Sequence, residues 1–144
     1  MFSKACEYGI RAIIHIAVLS QDEKRVGLKE IAKEIGSPEA FTAKILQILS
    51  KNDLVESTKG PTGGFEMSVQ QMKKIKLSDV VFAIDGDSIY KGCGLGMKEC
   101  SEKHPCPVHE KFKTIRNELK KMLENTSIYN LAIDQKNGLT FLKR

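Results

Sequence analysis

The sequence predicts a mainly α-helical protein with one small β-hairpin and a long helix in its second half. Three observations support this fold class. Apolar residues recur at helical spacing through most of the first third of the chain. A Gly-rich turn at residues 59–64 separates two short β-prone runs. A heptad-like apolar seam runs over residues 108–122.

Three helices are predicted before the hairpin. The first spans residues 2–20, and the second spans residues 28–35 with apolar positions i, i+3, i+4 and i+7 on one face. Gly36 ends the second helix, and Ser37 is expected to cap the third, with Pro38 at its first position. Two helices joined by a tight Gly-containing turn form a helix-turn-helix, although a plain helical bundle would show the same periodicity.

The third helix is predicted to separate apolar from polar side chains. Its inward positions are Phe41, Ile45, Ile48 and Leu49. Its outward positions are Thr42, Lys44, Gln47 and Lys51. We therefore expect the first set to pack in the core and the second set to remain exposed.

A hairpin directly after the third helix favours the helix-turn-helix over the plain bundle. Residues 54–58 are predicted to form one strand, and residues 65–68 the returning strand. A hairpin in this position is the wing of a winged helix. Its glycines expose backbone N–H groups, and Lys59 and Thr62 can reach phosphate or the minor groove. A hairpin tip without a partner is the alternative.

A second region, residues 77–144, follows the winged helix-turn-helix domain predicted for residues 1–76. It begins with a short amphipathic helix that Asp85-Gly86 ends, and a sensor loop occupies about residues 86–106. The long helix comes next. Ser127 is then expected to help cap a last short helix, and residues 134–144 are expected to form a loose tail that ends in one strand.

The long helix carries a narrow seam of five apolar residues, Val108, Phe112, Ile115, Leu119 and Met122. Such a seam packs either on its own domain or on a second copy of the chain. The Lys and Glu flanks, and the two half-sites that such a DNA-binding protein needs, favour a dimerisation helix.

Three cysteines and a histidine lie close together around the start of the long helix. Cys93, Cys100, Cys106 and His109 have the spacing C-x6-C-x5-C-x2-H. Thiolates on flexible backbone suit a soft metal or an iron–sulfur cluster. The spacing differs from the simplest zinc knuckle and from both common ferredoxin patterns. From the residues alone, an iron–sulfur cluster, zinc and metal-free thiols are all possible.

Composition limits the function classes further. The 144 residues carry a formal net charge of +5, which is compatible with nucleic-acid binding but is shared between both halves. No apolar run approaches the roughly 20 residues of a membrane span, and the N-terminus lacks a signal-peptide pattern. A cytoplasmic protein is expected, in which clustered thiols more often bind metal or sense redox state. The absence of a C-x-x-C, a nucleophile–base pair and a nucleotide loop argues against an enzyme.

The chain resembles the Rrf2 (Rrf-two) family of bacterial winged-helix regulators over nearly its whole length. The first matching motifs are Ser3-Lys4 with Tyr8, Leu28-Lys-Glu-Ile-Ala32, and Phe41-x-x-Lys44-Ile45-Leu46 leading to Leu49. They are followed, in the family's order, by Lys51-Asn-Asp-Leu-Val55, Lys59-Gly60-Pro61-Thr62-Gly63-Gly64-Phe65 and the cysteine loop. The wing motif together with a three-cysteine loop is a specific combination.

The resemblance implies a homodimer on a pseudo-palindromic operator of double-stranded DNA. The third helix would enter the major groove, and the wing would enter the adjacent minor groove. The implied contacts are Lys4, Ser37, Thr42, Ala43, Lys44, Gln47 and the wing residues Lys59, Gly60, Pro61, Thr62, Gly63 and Gly64. Ala43 stands where some relatives carry a polar base reader, so a relative's operator does not transfer.

The resemblance also implies that Cys93, Cys100 and Cys106 hold an iron–sulfur cluster, either 2Fe–2S or 4Fe–4S. Two residues are candidates for the remaining ligand. His109 matches a histidine ligand of some relatives, and Glu7 matches an acidic ligand that others supply across the dimer. A third arrangement in the family has a His one turn after that Glu, where this chain has Arg11.

These observations predict a transcriptional regulator, most simply a repressor, whose operator affinity is set by the cluster. It would sense redox state, nitric oxide or cluster status. The alternative is a repressor of the same fold that has no cluster and switches through its thiols. A third interpretation, a small redox or cluster-carrier protein, would require activity without DNA affinity.

Overall fold

The computed structural model describes residues 1–143. Within them, helices dominate and one antiparallel two-stranded sheet forms the wing, so the predicted fold class is confirmed. None of the helices in this part of the chain is long and apolar enough to cross a membrane. The elements are α1 Lys4–Ser20, α2 Leu28–Ile35, α3 Glu39–Lys51, β1 Glu56–Thr58, β2 Gly64–Glu66, α4 Val69–Lys74, α5 Leu77–Asp85, α6 Ser88–Lys91, α7 His109–Asn125 and α8 Ile128–Lys136.

The turn between α2 and α3 depends on one left-handed residue. Gly36 has φ +68°, a conformation that costs glycine little, and its N–H donates to the Lys33 carbonyl. The next N–H, from Ser37, donates to the Ala32 carbonyl at 3.0 Å and completes the helix C-cap. The N-cap of α3 is Pro38 and not Ser37, so the predicted cap is wrong by one residue.

The core is built around α1. Its fully buried side chains include Cys6, Ile13 and Ile16, and the helix contacts α2, α3, α5 and α8. Helix α8 lies against both α1 and α4, with Ile128 and Ala132 fully buried. One continuous core therefore includes elements on both sides of the boundary expected at residues 76 and 77, and that boundary stays a prediction.

The wing is tied to the chain before α2. Strands β1 and β2 pair with Ser57 opposite Phe65, and Phe65 exchanges two backbone hydrogen bonds with Val26, at 2.8 and 3.1 Å. Gly64 has φ +143°, and a Cβ there would lie 2.9 Å from the Val26 carbonyl oxygen. Strand β1 begins two residues later than predicted because Leu54 and Val55 are buried in the core and do not pair, and β2 spans residues 64–66 instead of the predicted 65–68.

Two short helices and the chain end differ from the sequence predictions. Helices α4 and α6 were not predicted, although Ser68 and Gln71 form a complete capping box at the start of α4. Ser127 caps α8 as expected, since its hydroxyl accepts from the Asn130 N–H at 3.1 Å. The expected tail begins later, after Lys136, and no strand occurs in residues 137–143. Arg144 lies outside the described residues.

Candidate metal centre and nucleic-acid interface

The loop between α6 and α7 gathers the predicted sulfur ligands around one recess. Cys93, Cys100 and Cys106 are free thiols, each about half-buried. The recess is lined by Cys93, Met97, Glu99, Cys100, Ser101, His104, Cys106 and His109. Residues that lie up to 16 positions apart in sequence thus line one recess, and their role as ligands stays a prediction.

His109 is the first residue of α7 and contacts one of these thiols. Its Nδ1 lies 3.3 Å from Cys100 Sγ, and its side chain is only 4% exposed. Its other ring nitrogen, Nε2, is buried without a hydrogen-bond partner among residues 1–143. The Glu110 carboxylate oxygen is 3.9 Å from Nε2, beyond hydrogen-bond distance. A buried, unpartnered imidazole nitrogen beside thiols is an available ligand.

The Cys93 side chain occupies an environment that favours its thiolate. The backbone N–H groups of Leu95 and Met97 lower the pKa of the Cys93 thiol, and the Cys106 thiol and the Arg116 guanidinium lower it further. A metal-ligating cysteine must lose its proton, so this environment favours ligation.

The donor set of the recess fits an iron–sulfur cluster. Three thiols and an unpartnered imidazole are the ligand types that such clusters use. Within residues 1–143, no three His, Cys, Asp or Glu side chains are arranged closely enough to hold a single metal ion. The fit therefore rests on the chemistry of the donors, and ligation would require the loop thiols to turn toward a common centre.

Glu7, the other predicted ligand, lies outside the recess of its own chain. It is in the first turn of α1, where its carboxylate pairs with the Lys4 ammonium at 3.2 Å. Any contact between Glu7 and the cluster would thus come from a second subunit, and this role stays a prediction.

Cys6, next to Glu7, is a buried core residue. Burial, followed by the negative charge of Asp85 and a hydrogen bond to it, raises the pKa of the Cys6 thiol to about 12. Asp85 ends α5 and also accepts from the backbone N–H of Ser3 at 3.0 Å and from the Ser3 hydroxyl. The Asp85 carboxylate thus links the end of α5, directly before the sensor loop, to the start of α1.

The outward face of α3 adjoins the wing. Lys44 and Gln47 are exposed and Ala43 is half-buried, as a DNA-facing surface requires. A recess between this face and the wing is lined by Ala43, Lys44, Gln47, Ser50, Lys51, Ser57 and Phe65. The wing residues Lys59, Gly60, Pro61 and Thr62 are exposed, Gly63 and Gly64 are half-buried, and Lys4 is exposed at the start of α1.

The predicted outward orientation of Thr42 is wrong. Its side chain is 0% exposed, and its hydroxyl donates to the Pro38 carbonyl at 2.9 Å. Ser37 is also buried, with 8% exposed. Both residues lie where α2 packs against the first turn of α3, so their side chains stabilise the helix-turn-helix and do not face solvent.

The wing turn explains why glycine occupies position 63. The Gly63 N–H donates to the Gly60 carbonyl at 3.0 Å, which closes the turn. A Cβ at Gly63 would overlap the Thr58 carbonyl oxygen of the opposite strand. The glycine therefore allows the close backbone approach that shapes the wing tip.

The comparisons with known proteins agree with this geometry. The family model named Rrf2 and described as an iron-dependent transcriptional regulator matches residues 2–134. The chain belongs to the Rrf2 family of transcriptional regulators. The relatives below are regulators as well, and none of them is an enzyme by name.

Two relatives and two solved structures show the extent of the likeness. A putative HTH-type transcriptional regulator of Aquifex aeolicus is 33% identical over 133 residues, 91% of this chain and 90% of its own length. The transcriptional regulator IscR of Photorhabdus laumondii is 27% identical, over 89% of this chain and 76% of its own. The cysteine regulator CymR of B. subtilis has a TM-score of 0.74 at 23% identity and covers 92% of this chain and 96% of its own. The T. potens IscR structure has a TM-score of 0.73 at 19% identity, covering 98% and 92%. The two structures establish the Rrf2 fold.

Within this Rrf2 fold, α7 divides its apolar seam between two surfaces. Phe112 lies under the cysteine loop, where a Cβ at Gly94 would come within 2.5 Å of its ring. Ile115 is 61% exposed and Met122 is 48% exposed, with no other element of residues 1–143 covering them. The exposed pair lies two turns apart on the helix and is available to a second chain.

The thiols of Cys93 and Cys6 are predicted to differ in reactivity. In reduced, iron-free protein at pH 8, Cys93 should be alkylated by iodoacetamide before Cys6, because the Cys93 pKa is lowered while that of buried Cys6 is about 12. Pulse labelling followed by mass spectrometry measures the order. In guanidinium chloride the difference should disappear. Equal labelling of Cys6 and Cys93 in the folded protein would contradict the described thiol environments.

Proposed function

We propose that this Rrf2 regulator is a homodimeric repressor whose operator affinity is set by an iron–sulfur cluster bound to Cys93, Cys100 and Cys106. The observation that carries the proposal is the gathering of three thiols and a buried imidazole around one recess. Either a 2Fe–2S or a 4Fe–4S cluster is compatible with this donor set. A bound cluster would supply iron that reacts with oxidants or nitric oxide.

His109 is the fourth ligand that the geometry supports best. Its ring lies in the same recess as the cysteines, and its Nε2 has no hydrogen-bond partner within residues 1–143. Glu7 of the partner subunit is the rival ligand, but in this chain its carboxylate already pairs with Lys4. Imidazole and carboxylate are both displaced from iron more easily than thiolate, so either would leave a position open to a signal molecule.

DNA would be read by α3 and held by the wing. The exposed side chains of Lys44 and Gln47, together with Ala43 in the same recess beside the wing, would meet base edges in the major groove. Lys4 and the wing turn, residues 59–64, would contact phosphate and the minor groove. The burial of Ser37 and Thr42 removes both from the proposed reading surface.

Dimerisation would use the exposed apolar side chains of α7. Ile115 and Met122 lie uncovered within the described residues, and two copies of such a seam bury each other in a coiled-coil-like contact. Two subunits would present two α3 helices, which is what a pseudo-palindromic operator of double-stranded DNA requires.

The start of α1 would link the sensor loop to the DNA contacts. Asp85, which precedes the loop, accepts two hydrogen bonds from Ser3, the N-cap of α1. Lys4 and Glu7 follow in the first turn of the same helix. A rearrangement of the sensor loop would therefore be transmitted through Asp85 and Ser3 to Lys4, a predicted phosphate contact.

The first test measures operator affinity with and without the cluster. The anaerobically purified protein and its iron-free form should differ in operator affinity. The difference should be about 10⁴-fold if the ratio of bound to free operator shifts from 99:1 to 1:99. Fluorescence anisotropy with operator duplexes selected from a random pool measures both forms. Cys100→Ser should abolish the difference, whereas the matched substitution Cys6→Ser should keep it. Equal affinity of the two forms would refute the cluster as the switch.

The second test separates base reading from packing on α3. Gln47→Ala should weaken operator binding by about 1–3 kcal/mol and affect non-operator DNA little, because an exposed side chain to a base edge is lost. Thr42→Val keeps the shape of a buried residue but loses its hydrogen bond to Pro38. It should lower the free energy of unfolding by about 1 kcal/mol and preserve operator affinity. Reversed effects of the two variants would contradict the proposed reading face.

A cluster-free thiol switch is the second candidate, and one observation favours it. Cys93 and Cys106 line the same recess, and the Cys106 thiol is one of the groups that lower the pKa of Cys93, so these two sulfurs are suited to redox chemistry without a metal. This candidate requires a colourless protein, reconstituted or not, whose DNA affinity changes with oxidant. Loss of the effect in Cys93→Ser or Cys106→Ser would support it.

A further inference from the structure

The geometry points to Arg116 as a positioning residue for the cluster ligands. We propose that its guanidinium anchors the segment from Gly92 to Cys100 beside the recess and, once a cluster is bound, sets the cluster's reduction potential through an N–H···S hydrogen bond to Cys100. The inference rests on the proposed cluster function and concerns a residue that carries no metal-ligating atom itself.

Arg116 makes two hydrogen bonds to the sensor loop from the second turn of α7. Its Nη1 donates to the Gly92 carbonyl at 2.6 Å, and its Nη2 donates to Cys100 Sγ at 3.2 Å. Gly92 immediately precedes Cys93. One planar guanidinium therefore ties together the two ends of the segment that separates the first two cysteines, and its rigid fork directs two donors at once.

Arg116 belongs to one face of α7 whose side chains contact the sensor loop. His109, Phe112, Lys113 and Arg116 lie at positions i, i+3, i+4 and i+7 of α7, which share one side of a helix. His109 contacts Cys100, Phe112 lies against Gly94, and Lys113 pairs with Glu102 at 2.6 Å. Of these side chains, Arg116 alone combines a formal positive charge with a sulfur contact.

A cation that donates to a ligating sulfur favours the reduced cluster. Reduction adds a negative charge, and hydrogen bonds to the sulfurs together with positive charge nearby stabilise that charge. Removing the Arg116 guanidinium should therefore make reduction harder. Lys113 provides the matched control, because it has the same formal charge one turn earlier and bonds to Glu102.

The experiment compares Arg116→Gln with Lys113→Gln in the full-length protein. The cluster-loaded proteins are compared by spectroscopic redox titration. At the potential where the wild-type cluster is half reduced, the ratio of reduced to oxidised cluster should be about tenfold lower in Arg116→Gln. This ratio corresponds to about 59 mV for a one-electron couple. Lys113→Gln should stay within about twofold of wild type. Arg116→Lys keeps the charge without the fork and should fall between wild type and Arg116→Gln.

A second readout uses iron-free protein and does not need a bound cluster. Hydrogen exchange of the peptide covering residues 92–100 should be several-fold faster in Arg116→Gln than in wild type, because both Arg116 hydrogen bonds to that segment are lost. In Lys113→Gln, faster exchange should be confined to the part of the loop around Glu102. Thermal unfolding confirms that each variant is folded.

The outcomes separate this inference from the proposed function. Equal potentials in Arg116→Gln and wild type, or equal shifts in both Gln variants, would overturn the role of the N–H···S bond. Unchanged exchange of residues 92–100 would overturn the anchoring role. If wild-type protein takes up no iron, the cluster proposal fails, and the exchange experiment still decides whether Arg116 positions the two cysteines.

Discussion

The cysteine loop carries few apolar side chains, so its order depends on contacts with one face of α7. Leu95 and Met97, two of the apolar residues within it, are each 56% exposed and cannot form a core. The loop is held instead by polar and aromatic contacts from α7, chiefly those of Arg116 and Phe112. A segment that buries so little apolar surface can change its conformation when its contacts or ligands change, which is what the proposed sensor function requires.

Helix α7 therefore presents two different faces. The face that begins with His109 contacts the loop, and the face that carries Ile115 and Met122 is exposed within the described residues. In the proposed dimer, a change in the loop would act on the same helix that would set the spacing of the two DNA-reading heads. The two Asp85–Ser3 hydrogen bonds would provide a second route, and at about 1.5–3 kcal/mol for each charge-assisted bond the pair would contribute about 3–6 kcal/mol. Complete switching needs about 5.5 kcal/mol, which this route would reach only at the upper end of that range.

The sequence predicted those parts of the fold that follow from local periodicity and turn chemistry. The bounds of α2, the Gly36 C-cap and the wing follow from such signals, and the structure confirms them. Helix α6 is only four residues long and leaves no periodic signal. The polar character of Thr42 groups it with Lys44 and Gln47 on the predicted outward face of α3, but its side chain is fully buried. Position on a helix predicts a face, whereas neighbouring elements decide which face is covered.

Only the part of the candidate site that lies within one short segment of the sequence could be predicted. The three cysteines and His109 are recognisable from spacing. The role of Arg116 is not, because it depends on the loop folding back over the second turn of α7. Glu7 is recognisable only through the family resemblance, because it lies in the first turn of α1, outside the recess of its own chain.

The account is tested most directly by Mössbauer spectroscopy, with iron and sulfide analysis, on anaerobically purified protein. Wild type, His109→Ala and Glu7→Ala would be compared. The account predicts an iron–sulfur cluster in wild type, an altered iron site in His109→Ala and an unaltered one in Glu7→Ala. An altered iron site only in Glu7→Ala would assign the fourth ligand to the partner subunit. Colourless wild-type protein without iron, even after reconstitution, would contradict the central claim that the three cysteines bind a cluster.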